Sequence, residues 1–333
     1  MAKSPTVEDV ARVAGVSRQT VSNVLNSPGI VKGSTRERVE SAIAELGYRP
    51  HAAARMLRTR RSSTIGIHLD PYAGGVSGVV LDRFVHALTE RASERGMRML
   101  VYAARSPEEE LARLAELTDR AEIDAVVITG TFYGDPRTNW LNERDLPFVS
   151  FGRPWGEDDV AQPSHPWVDV DGAAGTRAAT EHALAIAGGR IAFLGWPSGS
   201  GTGDDRERGW REAMAVAASS GPRYTAVDDV ALARDAVAGA LAAREADAVV
   251  CASDSLAIGV HLAAVDAGIP RLPVIGFDNT PAVEALGISS IEQLPERVAL
   301  GALELLMGPT GSVVGPHPAG LEHVLVTPQL IVR

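Results

Sequence analysis

Residues 10–26 read VARVAGVSRQTVSNVLN. Apolar residues recur at helical spacing on both sides of one glycine, Gly15. Upstream, Thr6 suits an N-cap, and Asp9 three positions on makes a near capping box. Val7, Val10, Ala11 and Ala14 then form one stripe. Gly15 suits the left-handed position that ends a helix. Ser17 suits the cap of a second helix over residues 17–25, whose inward stripe is Val21, Val24 and Leu25, with Val16 at the turn. A third helix is expected from Ser34, where Ser-Thr-Arg-Glu is a capping box closed by Glu37. Its stripe is Val39, Ala42, Ile43 and Leu46, and Gly47 ends it.

The second helix carries Arg18, Gln19, Ser22 and Asn23 on the side its valines leave open, and no acid at all. An ordinary solvated helix face carries Glu and Lys. Helix, glycine turn and helix is the helix-turn-helix arrangement, whose second helix enters the DNA major groove N-terminus first. Arg18 can reach guanine O6 and N7, and Gln19 and Asn23 can pair with adenine N6 and N7. Ser17, Thr20 and Ser22 suit phosphate oxygens. The core of such a head is small and marginal alone.

Charge supports this reading. Residues 1–62 hold eleven Lys and Arg against five acids, a charge of +6, within a 333-residue chain of net charge −10. The other 271 residues therefore carry −16. A basic module for a polyanion joined to an acidic body is the expected organisation. Between them lies YRPHAAARMLRTRRSST (48–64). Residues 51–58 favour helix but are too few to form one alone in water. Two readings stand: a basic linker, or a hinge helix that folds on DNA. In the second, Leu57 wedges between base steps in the minor groove while Arg55 and Arg58 hold phosphates.

From Thr64 onward short β-branched runs alternate with helical patterns. Strands are expected at 64–69, 97–102, 125–130, 147–152, 191–196, 248–253 and 272–277. Helices are expected at 80–95, 108–120, 172–187, 205–218, 232–244, 255–267 and 295–307. Such alternation means parallel sheets with helices on both faces, and two rounds of it suggest two similar lobes. Ligands bind beyond the carboxyl ends of the strands, and a cleft between lobes is the natural place.

Catalytic chemistry is sparse. The glycine-rich GSGTGDD (199–205) lacks the Lys-Ser/Thr of a phosphate loop, and Asp204 and Asp205 would repel phosphate. No metal spacing stands out among the eight histidines, and no G-x-S-x-G elbow marks a nucleophile. No cofactor, metal or enzymatic activity is expected. The single cysteine, Cys251, sits in an apolar run and rules out an internal disulfide framework. No apolar run is long enough to span a membrane, and MAKSPTVEDV shows no signal-peptide core, so the cytoplasm is the expected compartment.

Together these stretches resemble the LacI/GalR-type bacterial transcriptional repressors over nearly the whole chain. The head motif TVEDVARVAGVSRQTVSNVLN carries most of the resemblance, with ASDSLAIGVHLAAVDAGI, VIGFDNTP and SSIEQLPERVALGALELL in the body. The resemblance implies a helix-turn-helix domain (1–49), a hinge helix and linker (50–62) and a two-lobed body like periplasmic sugar-binding proteins (63–333). It implies a homodimer on a near-palindromic double-stranded operator and a small sugar-like effector in the cleft. Arg18, Gln19 and Asn23 match base-reading positions, and Leu57 matches the intercalating leucine. Arg206, Asp278, Gln293 and Ser253 match effector positions. Trp196 and Tyr72, each following a strand, either stack on a sugar face or simply pack. Several residues depart from the family pattern: His51 and Ser253 each replace Asn, Gly152 replaces an acid, and Leu294 separates Gln293 from Pro295. The C-terminal VLVTPQLIVR holds no leucine heptads, so no zipper-type tetramer is expected.

The function expected is a ligand-controlled repressor, whose effector acts as inducer or corepressor. A pure sugar receptor would fit the body but not the basic head. A small-molecule enzyme would need an acid–base pair or nucleophile that no motif supplies.

Overall fold

In a computed structural model of the chain, the described residues are 5–48, 61–69, 78–156, 165–308, 313 and 323–333. They fall into two compact units, residues 1–62 and residues 63–333. Arg55, Leu57, Arg58 and Tyr72, and the helix expected at 51–58, lie outside the described residues.

The first unit holds α1 (Val7–Ala14), α2 (Arg18–Asn26) and α3 (Gly33–Leu46). Thr6 and Asp9 close a full capping box: the Thr6 N–H donates to Asp9 at 3.0 Å and the Asp9 N–H to the Thr6 hydroxyl at 3.3 Å. These bonds, with Arg12 alongside, hold the Asp9 carboxyl down at about 2. Gly15 and Gly47 end their helices at φ 65° and 61°, where a side chain would clash with the backbone. One expectation fails here. The box at Ser34 does not form; α3 starts at Gly33 with Lys32 at the cap and no side-chain cap bond. The Lys32 carbonyl accepts from Thr35 and Arg36 N–H, so the helix winds one residue earlier than its best capping side chain. Val10, Val21 and Val39 are fully buried and clamp the three helices together.

The second unit is two six-stranded sheets with helices on both faces. The first lobe contains β1 (Thr64–Leu69), α4 (Gly78–Glu94), β2 (Arg98–Ala103), α5 (Pro107–Asp119), β3 (Ala125–Thr129), α6 (Pro136–Glu143), β4 (Phe148–Phe151) and β5 (Trp167–Val170). The second contains α7 (Gly172–Ala187), β6 (Ile191–Gly195), α8 (Gly201–Val216), β7 (Arg223–Thr225), α9 (Val230–Ala242), β8 (Ala248–Cys251), α10 (Asp254–Asp266), β9 (Val274–Phe277), α11 (Pro281–Ala285) and β10 (Ser289–Glu292). Then α12 (Pro295–Leu306) returns to pack on α4 and on the first sheet. The chain finishes as β11 (His323–Val326) beside β5 and β12 (Gln329–Ile331) beside β10.

Strand orders are β11-β5-β4-β3-β1-β2 and β12-β10-β9-β8-β6-β7, all pairs parallel except β10 with β12. The lobes are thus not two successive rounds. The chain passes between them after β5, after β10 and after β11, so three crossovers join one lobe to the other. Fully buried runs such as AVVIT and AVVC sit in the middle of each sheet, covered on both faces. Cys251 is one of these buried residues, and burial pushes its thiol up. No described helix is long and apolar enough to cross a membrane.

Candidate functional site

Two sets of residues carry polar chemistry that packing alone does not explain. The first is the open face of α2. Ser17 caps the helix through a 3.1 Å bond from the Thr20 N–H, and its hydroxyl also meets that of Thr20 at 2.9 Å. Val21 and Val24 point inward, while Arg18 and Gln19 are exposed. The Gln19 amide donates to the Asn23 carbonyl at 2.9 Å, one turn on. Arg18 pairs with Glu8 of α1 at 3.0 Å, both side chains well exposed. The helix start holds no acid, so its free N–H groups and its dipole both favour an anion. The face is therefore a row of donors and acceptors resting on one another in water. Each of these pairings is weak enough to exchange for a base edge or a phosphate.

The second set surrounds a cavity of about 220 Å³ between the two lobes. Its wall comes from the carboxyl ends of strands β3, β4 and β5 (Thr129, Phe151, Val170), the first turns of α7 and α8, and Gln293 after β10. This is where open parallel sheets present their loops. Arg206, from α8, lines it and is 5% exposed. Its guanidinium lies 3.7 Å from the Phe277 ring centroid and 5.3 Å from that of Trp196. It donates to the Ala252 carbonyl at 2.5 Å and stands 3.8 Å from Asp278.

Gln293 lines the cavity and donates to Asp278 at 2.6 Å, so Asp278 sits one hydrogen bond behind the wall. Leu294, which departs from the family pattern, bends at φ 57°, and Gln293 still reaches the acid. Ser253 faces elsewhere: its hydroxyl donates to Asp228 and accepts from the Leu256 N–H as the cap of α10. Trp196 packs on Gly203 and Arg206.

Electrostatics favour neutral chemistry at Asp278. Burial pushes its carboxyl up to about 8; Arg206 pulls the other way, and the neighbouring Asp254 adds to the rise. At 3.8 Å the Arg206 charge does not offset complete burial, so the acid holds its proton near neutrality. Asp278 also sits at φ 120° and Asn279 at φ 50°, backbone strain of the kind that gathers at binding sites.

Several residues in the wall or directly behind it were not marked by sequence reasoning. Arg153 donates through Nε to Asp169 at 2.6 Å and through Nη2 to the Val170 carbonyl at 3.0 Å, and reaches 3.5 Å from Asp205 of the other lobe. Burial raises the Asp169 carboxyl, with Arg153 opposing. Asp205 accepts from the Ala173 N–H at 3.0 Å and from Arg208 at 2.5 Å. Three buried donors around the cavity find no partner among the described residues: Thr129 Oγ1, Trp155 Nε1 and Arg206 Nε. A buried polar group left alone costs about 1–3 kcal/mol, which a polar ligand would recover. The missed signal was the run RPW (153–155) directly after the strand expected at 147–152, at the carboxyl end where such folds place ligand contacts. Gly152, in place of the family's acid, has φ 118°, and a Cβ there would lie 2.3 Å from the Thr131 hydroxyl. No cluster of metal ligands occurs among the described residues.

Comparison with known proteins finds matches in both units of the chain. The family described as bacterial regulatory proteins, lacI family, matches residues 6–51. The family described as periplasmic binding proteins and sugar binding domain of LacI family matches residues 79–298. The HTH-type transcriptional regulator CelR of Thermobifida fusca is 32% identical over 97% of this chain and 98% of its own. A solved structure of a CelR–cellobiose complex is 27% identical, with a TM-score of 0.69 and 99% of each chain covered. The Lac repressor dimer bound to operator and an anti-inducer shares the fold at 23% identity, with a TM-score of 0.78 over 99% of this chain and 98% of that one. The chain therefore belongs to the LacI family of bacterial regulatory proteins, a non-enzymatic family, and is a ligand-responsive, DNA-binding transcriptional regulator.

Proposed function

We propose that the protein is a dimeric, saccharide-responsive repressor. Two heads read the halves of a near-palindromic operator, and a neutral saccharide in the interlobe cavity sets how tightly they hold it. The observation that carries the saccharide reading is the cavity wall: N–H and O–H donors without a partner among the described residues, beside indole and phenyl rings, with its carboxylates already bonded to arginines and backbone. Sugars match this with acceptor oxygens and apolar ring faces. A relative similar over the whole chain is solved with cellobiose, which makes β-linked glucosides the first compounds to try.

In this reading Arg206 and Gln293 touch the effector, and Asp278 holds Gln293. Trp196 supports Arg206. Tyr72 remains an effector contact expected from the sequence, and Ser253 orders α10 beneath the cavity. On the head, Arg18, Gln19 and Asn23 read bases, and Ser17, Thr20 and Ser22 meet phosphates. Residues 1–49 form the reading head and 50–62 the hinge, where Leu57 opens a base step and Arg55 and Arg58 hold the backbone. The target being chromosomal, the protein acts in the cytoplasm. Dimerisation is supported by an apolar stripe on α10, where Leu262 and Val265 stand 39% and 48% exposed, and by Val101, half exposed on the edge strand β2.

Selection of bound duplexes from a randomised library at about 150 mM salt tests this directly. The expected product is a dyad-symmetric site carrying two chains per duplex. An asymmetric site, or enrichment of no sequence, would remove the proposal. Leu57→Ala should then weaken the selected site more than random duplex.

A further inference from the structure

The glycines of the run GSGTGDD have no part in the function reached so far, since the run cannot cradle phosphate. The structure gives its glycines a different use. A Cβ on Gly201 would lie 2.1 Å from Cδ2 of Trp155, 2.3 Å from its Cγ and 2.5 Å from its Cε2. A Cβ on Gly203 would lie 3.0 Å from Cε3 of Trp196. The first turn of α8 is thus a bare seat on which two indoles rest. Trp196 belongs to the same lobe. Trp155 comes from the other lobe, just past β4. The Arg153 guanidinium, 4.9 Å from the Trp155 ring centroid, is itself fixed by Asp169. Trp155 lines the cavity, and its buried Nε1 has no partner among the described residues.

We propose that Trp155, seated on Gly201, is a specificity-determining residue of the cavity. Its ring is the wall that limits ligand length, and its N–H is given to an acceptor oxygen of the ligand. An indole N–H can only donate, so it requires an acceptor. The neighbouring free groups, Arg206 Nε and the Thr129 hydroxyl, also have hydrogens to give. Asp169 and Asp205, bonded to Arg153, Arg208 and the Ala173 N–H, make the wall unfavourable for an anion. The ligand class is a short neutral glycoside of one or two rings, which offers ring, bridging and hydroxyl oxygens. This rests on the reading of the cavity as a saccharide site.

The test uses the full-length protein labelled with 5-fluorotryptophan, the Trp155 ¹⁹F resonance being assigned by its loss in Trp155→Phe. Without any ligand, Gly201→Ala should move that resonance. The melting temperature should fall only modestly, since the added methyl must push the indole aside while alanine favours the helix. An unmoved resonance overturns the seat. With cellobiose and cellotriose as probes in calorimetry, the wild type should prefer cellobiose. Trp155→Ala should abolish that preference, and Trp155→Phe should lower cellobiose affinity about 2–10-fold through the lost hydrogen bond. Wild-type affinity and selectivity in both variants overturn the wall and the N–H contact. If the wild type binds neither sugar while the resonance still moves in Gly201→Ala, the short β-glucoside ligand and its contact with Trp155 fall and the seat stands.

Discussion

The two functional surfaces handle their polar groups in opposite ways. On α2 every side chain of interest lies within seven consecutive residues, faces water, and pairs with a neighbour: Ser17 with Thr20, Gln19 with Asn23, Arg18 with Glu8. In the body the groups come from six separated segments and are buried, and some donors are left without partners among the described residues. The exposed face tolerates temporary pairings because water makes each one nearly neutral in free energy. The buried cavity does not, since an unmet donor there carries its full desolvation cost. A DNA-reading surface can thus be loose and ready to exchange, while a ligand cavity stores its affinity in groups the protein alone leaves unmet.

Substitutions can break this contrast, and the largest effect is expected in the body. Arg206→Ala removes the partner of buried Asp278 and the cation packed on Phe277. With Asp278 already protonated no charge is stranded, but the cavity left behind and the unmet Ala252 carbonyl cost about 2–5 kcal/mol, read as a fall in urea-unfolding stability of the body. A loss below about 1 kcal/mol would place Arg206 in an environment like the exposed head. Next come the two amides proposed to read bases. Gln19→Ala or Asn23→Ala should cost about 1–3 kcal/mol of operator binding and leave random-duplex binding unchanged. Equal loss on both duplexes would reduce these amides to phosphate contacts.

The third prediction concerns pH. The folded carboxyl of Asp278 is raised above its unfolded value of 3.8, so the chain takes up a proton there on folding. The stability this provides is fully present below about pH 4 and lost as pH rises through about 8. Asp278→Asn should flatten the stability profile across that window by up to about 1.4 kcal/mol per pH unit. An unchanged slope would show that Asp278 is ionised throughout. The smallest effect belongs to Glu8→Gln, which frees Arg18. Stability should stay within about 0.5 kcal/mol, and operator affinity should rise by no more than about fivefold. A larger change would mean the Arg18–Glu8 pair is not the exchangeable contact it is taken to be.

The same contrast explains what could be read in the sequence. The head was legible because a helix face is a local pattern: caps, glycine and stripe follow one another in order. Its one error, the start of α3, came from trusting Ser34 where backbone packing set the boundary at Lys32. In the body, apolar runs such as IAFLG and AVVC announced central strands. WVDV and SSIE did not, because their buried acids, Asp169 and Glu292, depend on Arg153 and Arg83, which lie far away in sequence. Likewise the interleaving of the lobes rests on three crossovers that no local pattern marks. Arg206 and Gln293 were named from the family resemblance. Trp155 and Arg153 were missed because only the folded lobes bring them to Gly201 and Asp169.

The central claim is that occupancy of the buried cavity alters what the exposed helix face can hold. Its most direct test is the affinity of the full-length protein for its selected operator at about 150 mM salt, measured by anisotropy with and without saturating cellobiose or another saccharide shown to bind. A change of about 5–150-fold, absent when Arg206 or Trp155 is altered so that the sugar no longer binds, is the expected result. An operator affinity that stays the same while the sugar demonstrably fills the cavity would contradict it.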